Sequence, residues 1–123
     1  MAIYESGEDY LETILVIQKR NGTVRSIDVA SELNFSKPSV SRAMGILKKA
    51  GYILIDEKGH ITFTEKGRSK AEAIYERHNL IAAFLEQVLD VSEENALKDA
   101  CRIEHDLSDE TYEKMREMLD KQD

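Results

Sequence analysis

The chain has 123 residues, 17 basic and 24 acidic side chains, a net charge of −7, one cysteine and no tryptophan. That length suits one ordinary domain or two small ones sharing an interface, and so modest a core makes a two-lobed arrangement favour a dimer. No apolar run approaches the ~20 residues of a membrane helix, no signal-peptide pattern opens the chain, and a lone cysteine excludes an internal disulfide framework; a cytoplasmic, soluble protein with a reduced thiol is expected.

In chain order, Leu11, Ile14, Leu15 and Gln18 mark one face of a first helix over Glu5–Arg20. Lys19 and Arg20 favour its last turn, and Asn21-Gly22 ends it. Ser26 is a suitable N-cap for a second helix through Leu33, with Ile27, Ala30 and Leu33 turned inward. After the turn at Asn34-Phe35, Ser36 caps a third helix that carries Pro38 in its first turn, runs to Lys49 and stops at Gly51. The β-rich runs 52–56 and 60–63 flank Glu57-Lys58-Gly59, a hairpin signal. Thr64 caps a long fourth helix to Leu89, where Ile74, His78, Ile81, Leu85 and Val88 recur at spacings of 4, 3, 4 and 3. That is a packing seam, and it places His78 on an apolar stripe. Ser92 opens a helix to Leu107, and Ser108 opens a last one over Asp109–Leu119.

The charge is divided along the chain. Residues 1–70 hold 11 basic and 9 acidic side chains, and residues 71–123 hold 6 and 15. From Lys19 to Lys49 there are seven basic residues and two acidic ones. Such asymmetry points to an anion-binding first half, although an acidic second half is also what ordinary solvated helix faces produce. Helix, short turn, helix and β-hairpin is the winged helix-turn-helix order. The expected fold is therefore mainly α with a small β-hairpin, with a DNA-binding domain over 1–70 and a helical domain over 71–123. Val40, Met44 and Leu47 point inward, which turns Ser39 and Arg42 outward. Lys37, Ser39, Ser41 and Arg42 crowd the first two turns of the third helix, where an N-terminus favours anions and Arg reads guanine. Ser36, Pro38 and Arg25 belong to the same candidate surface, and Lys58 and His60 are expected at the hairpin tip beside a flanking phosphate.

The second half carries Cys101-Arg102-Ile103-Glu104-His105. A thiol, a carboxylate and an imidazole at i, i+3 and i+4 share one helix face, and all three side chains ligate metals. A core cysteine beside a surface Glu–His hydrogen bond would leave the same spacing. Ala96, Ala100, Ile103 and Leu107 form the packing stripe, and Cys101 and Glu104 at its edge are expected to be half-buried. Asp9 and Glu12 share a face of the first helix; two acids at that spacing repel unless a cation lies between them or water solvates them, and Glu8-Asp9 near the helix N-terminus also favours the helix dipole.

The chain resembles the diphtheria toxin repressor and manganese transport regulator family of metal-dependent dimeric repressors. The resemblance covers nearly the whole length, through Glu8-Asp9-Tyr10-Leu11-Glu12, Ser36 to Ser41, Leu54 to Gly67, Arg77-His78 and Asp99 to Ser108. It implies Asp9, Glu12, His78, Cys101, Glu104 and His105 as metal ligands, a helical domain that dimerises, and a short form without an SH3-like domain. Asp9 and Glu12 match manganese-type members, whereas Cys101 matches the iron-type. Ala82 and Leu97 replace accessory ligands of the iron-type. Thiolate and carboxylates together suit Fe(II), with Mn(II) as the other candidate, at one or two ions per chain.

The function this implies is repression, in which Fe(II) or Mn(II) bridges the two lobes of a homodimer and enables binding to a palindromic operator in double-stranded DNA. A metal-independent winged-helix regulator responding to another ligand, and a metal-storage module, stand as alternatives. No nucleophile–base pair or phosphate loop suggests an enzyme.

Overall fold

The computed structural model describes residues 5–121, with side chains described from Gly7 onward. The chain forms two compact units, Met1–Glu72 and Ala73–Asp123.

The first unit contains α1 (Glu5–Asn21), α2 (Ser26–Leu33), α3 (Lys37–Lys49), β1 (Ile53–Ile55), β2 (Ile61–Phe63) and the first turns of α4 (Glu65–Gln87), the helix within which the division falls. Its core is built from the inward stripes of these elements. Leu11, Ile14, Leu15 and Ile17 of α1 are buried with Val29 and Ala30 of α2, Val40, Met44 and Leu47 of α3, and Ile53 and Ile61 of the hairpin. Each fully buried aliphatic side chain contributes about 1.5–3 kcal/mol, so this shared core outweighs the local preferences of any one short helix.

That priority shows in α2. The extended residue before the helix is Arg25, and its N–H donates to the Asp28 carboxylate at 2.9 Å. Ser26 is thus the first helical residue and not the cap. Ile27 is 51% exposed and Leu33 half-buried, while Val29 is fully buried. Eight residues span barely two turns, so more than one apolar stripe fits them, and packing with α1 and α3 selects Val29–Ala30. Asn34 then closes α2 in the left-handed region, at φ 58°. The start of α3 follows its local chemistry: Ser36 Oγ accepts from the Ser39 N–H at 3.3 Å, and Pro38 lies in the first turn.

The strands pair antiparallel, Ile53 with Phe63, Leu54 with Thr62 and Ile55 with Ile61. They are shorter than the β-rich runs that announce them. His60 is drawn off the tip, because it bridges Arg25 and the Ile61 N–H donates to the Val24 carbonyl at 2.7 Å. The segment before α2 is thereby attached to the wing, a long-range pairing with no local sequence signal. Thr64 caps α4 by accepting from the Gly67 N–H at 3.0 Å, and its hydroxyl donates to the Gly51 carbonyl at 2.6 Å.

The second unit contains the rest of α4, α5 (Glu93–Ile103) and α6 (Asp109–Asp120). Ile81, Ala82, Leu85, Ala96 and Ala100 are its buried centre, with Phe84, Ile103, Leu107, Tyr112 and Met115 packed against them. Ser92 and Ser108 cap α5 and α6 through the N–H groups of Asn95 and Thr111. Helix α4 stops at Gln87, two residues short of the expected Leu89, and Asp90 takes φ 59°. Helix α5 stops at Ile103, four residues early, because the chain tightens: the Asp106 and Leu107 N–H groups both donate to the Ile103 carbonyl at 3.0 Å. Among the described residues, no helix is long and apolar enough to cross a membrane.

Gly67 is the tightest point of the first unit. A Cβ there would lie 1.8 Å from the Tyr52 carbonyl oxygen, a backbone atom that has no rotamer to yield. Gly67→Ala is expected to lower stability by about 1–3 kcal/mol or more, read as a lower midpoint in urea unfolding.

Candidate metal centre and nucleic-acid face

In the second unit, α4 supplies His78, α5 supplies Cys101, and the residue capping α5 supplies Glu104. One donor atom from each lies within 4.8 Å of the other two. Donors sharing one ion at about 2.0–2.3 Å each lie within about 4.6 Å of one another, close to that spacing. Although α5 ends at Ile103, Glu104 keeps helical dihedrals (φ −56°, ψ −28°), and its N–H donates to the Ala100 carbonyl at 3.1 Å. The i, i+3 relation of Cys101 and Glu104 therefore survives the loss of the regular helix.

Burial separates these two residues, where equal half-burial was expected. Glu104 is 5% exposed, whereas Cys101 lies on the exposed side of α5. Glu104 Oε2 is 3.4 Å from His78 Nδ1, and Oε1 is 3.6 Å from His105 Nε2. Among the described residues, neither carboxylate oxygen accepts a hydrogen bond. An ionised carboxylate withdrawn from water without hydrogen bonds costs several kcal/mol unless positive charge compensates it. The imidazole, thiol and carboxylate donors around it are those that first-row transition metals take, so the residues fit such an ion. The accessory positions are apolar here. Ala82 is buried in the core and Leu97 is 45% exposed.

Asp9 and Glu12 belong to the first unit. They lie one turn apart on α1, both partly buried, and the Asp9 main-chain carbonyl accepts from the Thr13 hydroxyl at 2.8 Å.

A residue that the sequence reading left without a role holds the turn after Glu104. Arg77 of α4 donates from Nη2 to the Leu107 carbonyl and from Nη1 to Asp109 at 3.2 Å. Its guanidinium also lies 5.0 Å from the centre of the Tyr112 ring, which Arg116 approaches at 5.2 Å. One cation thus pins the segment that follows His105 and the start of α6 to the helix carrying His78. The only sequence sign of this is an Arg adjoining a seam histidine, which points to no partner.

In the first unit, Lys37, Pro38, Ser39, Ser41 and Arg42 are all exposed on α3, opposite Val40, Met44 and Leu47. Ser36 is occupied as the cap, and its hydroxyl also donates to Ser39 Oγ at 2.8 Å. Arg25 is exposed beside the wing, and Lys58 is exposed at its tip. The Asp56 carboxylate shapes that tip by accepting from the Lys58 and His60 N–H groups, each at 2.9 Å. The His60 backbone N–H, seconded by that of Lys58 and by the His60 ring, holds the Asp56 carboxyl below its ordinary range. His60 Nδ1 lies 3.4 Å from Asp56, so its ring is turned along the wing toward that carboxylate and is only partly exposed.

A helix-turn-helix followed by a wing, with an acid-free basic second helix, is the architecture of DNA-binding regulators. A regulator that also carries a buried, ligand-rich carboxylate falls in the metal-responsive class. Residues 2–61 match the N-terminal DNA binding domain of the iron dependent repressor, and residues 64–123 match its metal binding and dimerisation domain. The chain belongs to the iron-dependent repressor family and is a metal-dependent transcriptional repressor.

An uncharacterised HTH-type transcriptional regulator of Methanocaldococcus jannaschii is 36% identical over 118 residues, covering 95% of this chain and 94% of that protein. The transcriptional regulator MntR of Geobacillus kaustophilus is 35% identical over 103 residues, 84% of this chain and 72% of its own length. The solved manganese regulator SloR is similar with a TM-score of 0.81 at 28% identity, covering 98% of this chain and 55% of that one. A manganese-dependent transcriptional repressor in complex with manganese gives a TM-score of 0.83 at 27% identity over 92% of this chain and 52% of that one. The chain spans about half the length of these two solved proteins.

Arg77→Ala removes the donors to Leu107 and Asp109 together. It is expected to cost about 1–3 kcal/mol and to speed amide exchange across 104–109 before the rest of the chain, read by hydrogen exchange with mass spectrometry.

Proposed function

We propose that this repressor is switched by Fe(II) or Mn(II) held by His78, Cys101, Glu104 and His105, with Asp9 and Glu12 of α1 as further ligands, at one or two ions per chain. The observation that carries the reading is the buried Glu104 carboxylate, which accepts no hydrogen bond and faces two imidazoles and a thiol. When bound, the ion supplies the positive charge that so many neighbouring donors and acids call for. Cys101 contributes a soft ligand and the carboxylates hard ones, a mixture that favours Fe(II) over Mn(II).

The rest of the switch follows from the chain's own groups. Asp9 and Glu12 belong to the DNA-binding unit, and the other four ligands to the acidic unit. Holding all of them to a common centre narrows the orientations that the units sample, whereas the uncompensated acids repel and widen that range. The helical unit, matching a dimerisation domain, pairs two copies about a twofold axis. Two α3 helices then meet half-sites about 34 Å apart on a palindromic DNA duplex. Lys37, Ser39, Ser41 and Arg42 bond phosphates and base edges, with Arg25, Ser36, Pro38, Lys58 and His60 at the margins. The protein acts in the cytoplasm as a regulator and not as an enzyme.

Two outcomes test this. Operator binding, followed by fluorescence anisotropy, is expected to fall by at least about tenfold in chelator, equivalent to ~1.4 kcal/mol, and to return with Fe(II) under anaerobic conditions or with Mn(II). Equal affinity with and without metal defeats the switch. Cys101→Glu replaces the soft donor by a hard one and is expected to move the half-activating concentration in favour of Mn(II) relative to Fe(II). Unchanged selectivity removes the thiol from the ligand set.

A further inference from the structure

Gly45 lies in the interior of α3, where glycine weakens a helix relative to alanine. Two internal reasons for a glycine are visible elsewhere in the chain. Gly22, Gly51 and Gly59 take positive φ, and Gly67 has no room for a Cβ against the Tyr52 backbone. Neither reason applies at Gly45. Its φ is that of an ordinary helix, and a Cβ there would meet nothing within 4 Å. The fold itself therefore does not require a glycine at this position.

The position suggests what does. Gly45 is exposed, four residues after Ser41 and three after Arg42, so the three are neighbours on one outward face. That face belongs to a helix with four basic side chains and no acidic one. Between Arg42 and the basic pair Lys48-Lys49, the exposed positions of α3 are Gly45, where the backbone is bare, and Ile46, whose side chain is 50% exposed beside it. An α-helix with its side chains is about 10–12 Å across, and the major groove of B-DNA is about 12 Å wide. In so close a fit, a side chain at the middle of the inserted face decides how deep the helix sits.

We infer that Gly45 is a contact position for duplex DNA, at which the missing side chain lets the α3 backbone approach the groove closely enough for Ser41 and Arg42 to reach base edges. The inference rests on α3 being the DNA-reading helix, as proposed above. It assigns to a residue without a functional group the role of setting the depth of the interface.

The test compares the wild-type protein with Gly45→Ala, Gly45→Gln and Arg42→Ala, each loaded with Mn(II). The probe is a labelled duplex enriched from a random-sequence pool by the wild-type protein. Thermal midpoints and anisotropy affinities are read together. Gly45→Ala is expected to raise the thermal midpoint while weakening DNA binding, and Gly45→Gln to weaken it further, by about tenfold or more. Opposite signs on stability and binding exclude a folding defect, and the dependence on side-chain size excludes a need for helix flexibility. Unchanged affinity in both Gly45 variants, or equal losses for Ala and Gln, overturns the inference. Where Arg42→Ala weakens binding and the Gly45 variants do not, only the role of Gly45 falls. Where Arg42→Ala is also silent, the assignment of α3 as the reading helix falls with it.

Discussion

A single buried carboxylate sets the chemistry of the candidate centre in the second unit. Glu104 is carried inward by one residue of helical geometry beyond the end of α5, and its oxygens face His78, His105 and Cys101 without accepting a hydrogen bond. Burial makes its charge expensive, and the surrounding donors are of the kind that a transition-metal cation recruits. A surface glutamate at the same spacing would be solvated and would need nothing.

The surroundings of Glu104 explain how such a centre is kept in shape. Alanines at 96 and 100 are fully buried in the core that brings α4 and α5 together. Arg77 then closes the turn after His105 from the α4 side, through the Leu107 carbonyl, Asp109 and the Tyr112 ring. Small residues, one cation and one aromatic ring thus hold donor side chains that come from different elements. Preorganisation of this kind matters to a sensor, because ordering the site on binding would subtract from affinity.

The first unit solves a different problem, presenting a regular, basic helix edge to a partner while hiding its apolar stripe. Val40, Met44 and Leu47 anchor α3, and the segment before α2 pairs with the wing. This ties the helix-turn-helix and the hairpin into one small body. The family to which the chain belongs joins DNA reading to metal sensing, and the charge asymmetry along the sequence follows that division of labour.

Much of this was legible from the residues in order. Ser36, Thr64, Ser92 and Ser108 act as helix caps, Gly22 and Gly51 act as stops, and the alternation of Val40, Met44 and Leu47 faces α3 inward, because caps, turns and periodicity are local effects. The spacing of Cys101 and Glu104 likewise placed them near one another. Tertiary structure decided the rest. It chose Val29 over Ile27 in a helix too short to define its own stripe, and it ended α5 at Ile103 where no glycine or proline marks a boundary. It drew His60 onto Arg25, buried Glu104 while leaving Cys101 exposed, and gave Arg77 its partners. Each of these depends on which distant surface arrives, and a one-dimensional pattern carries the types of its residues but not the surfaces they will meet.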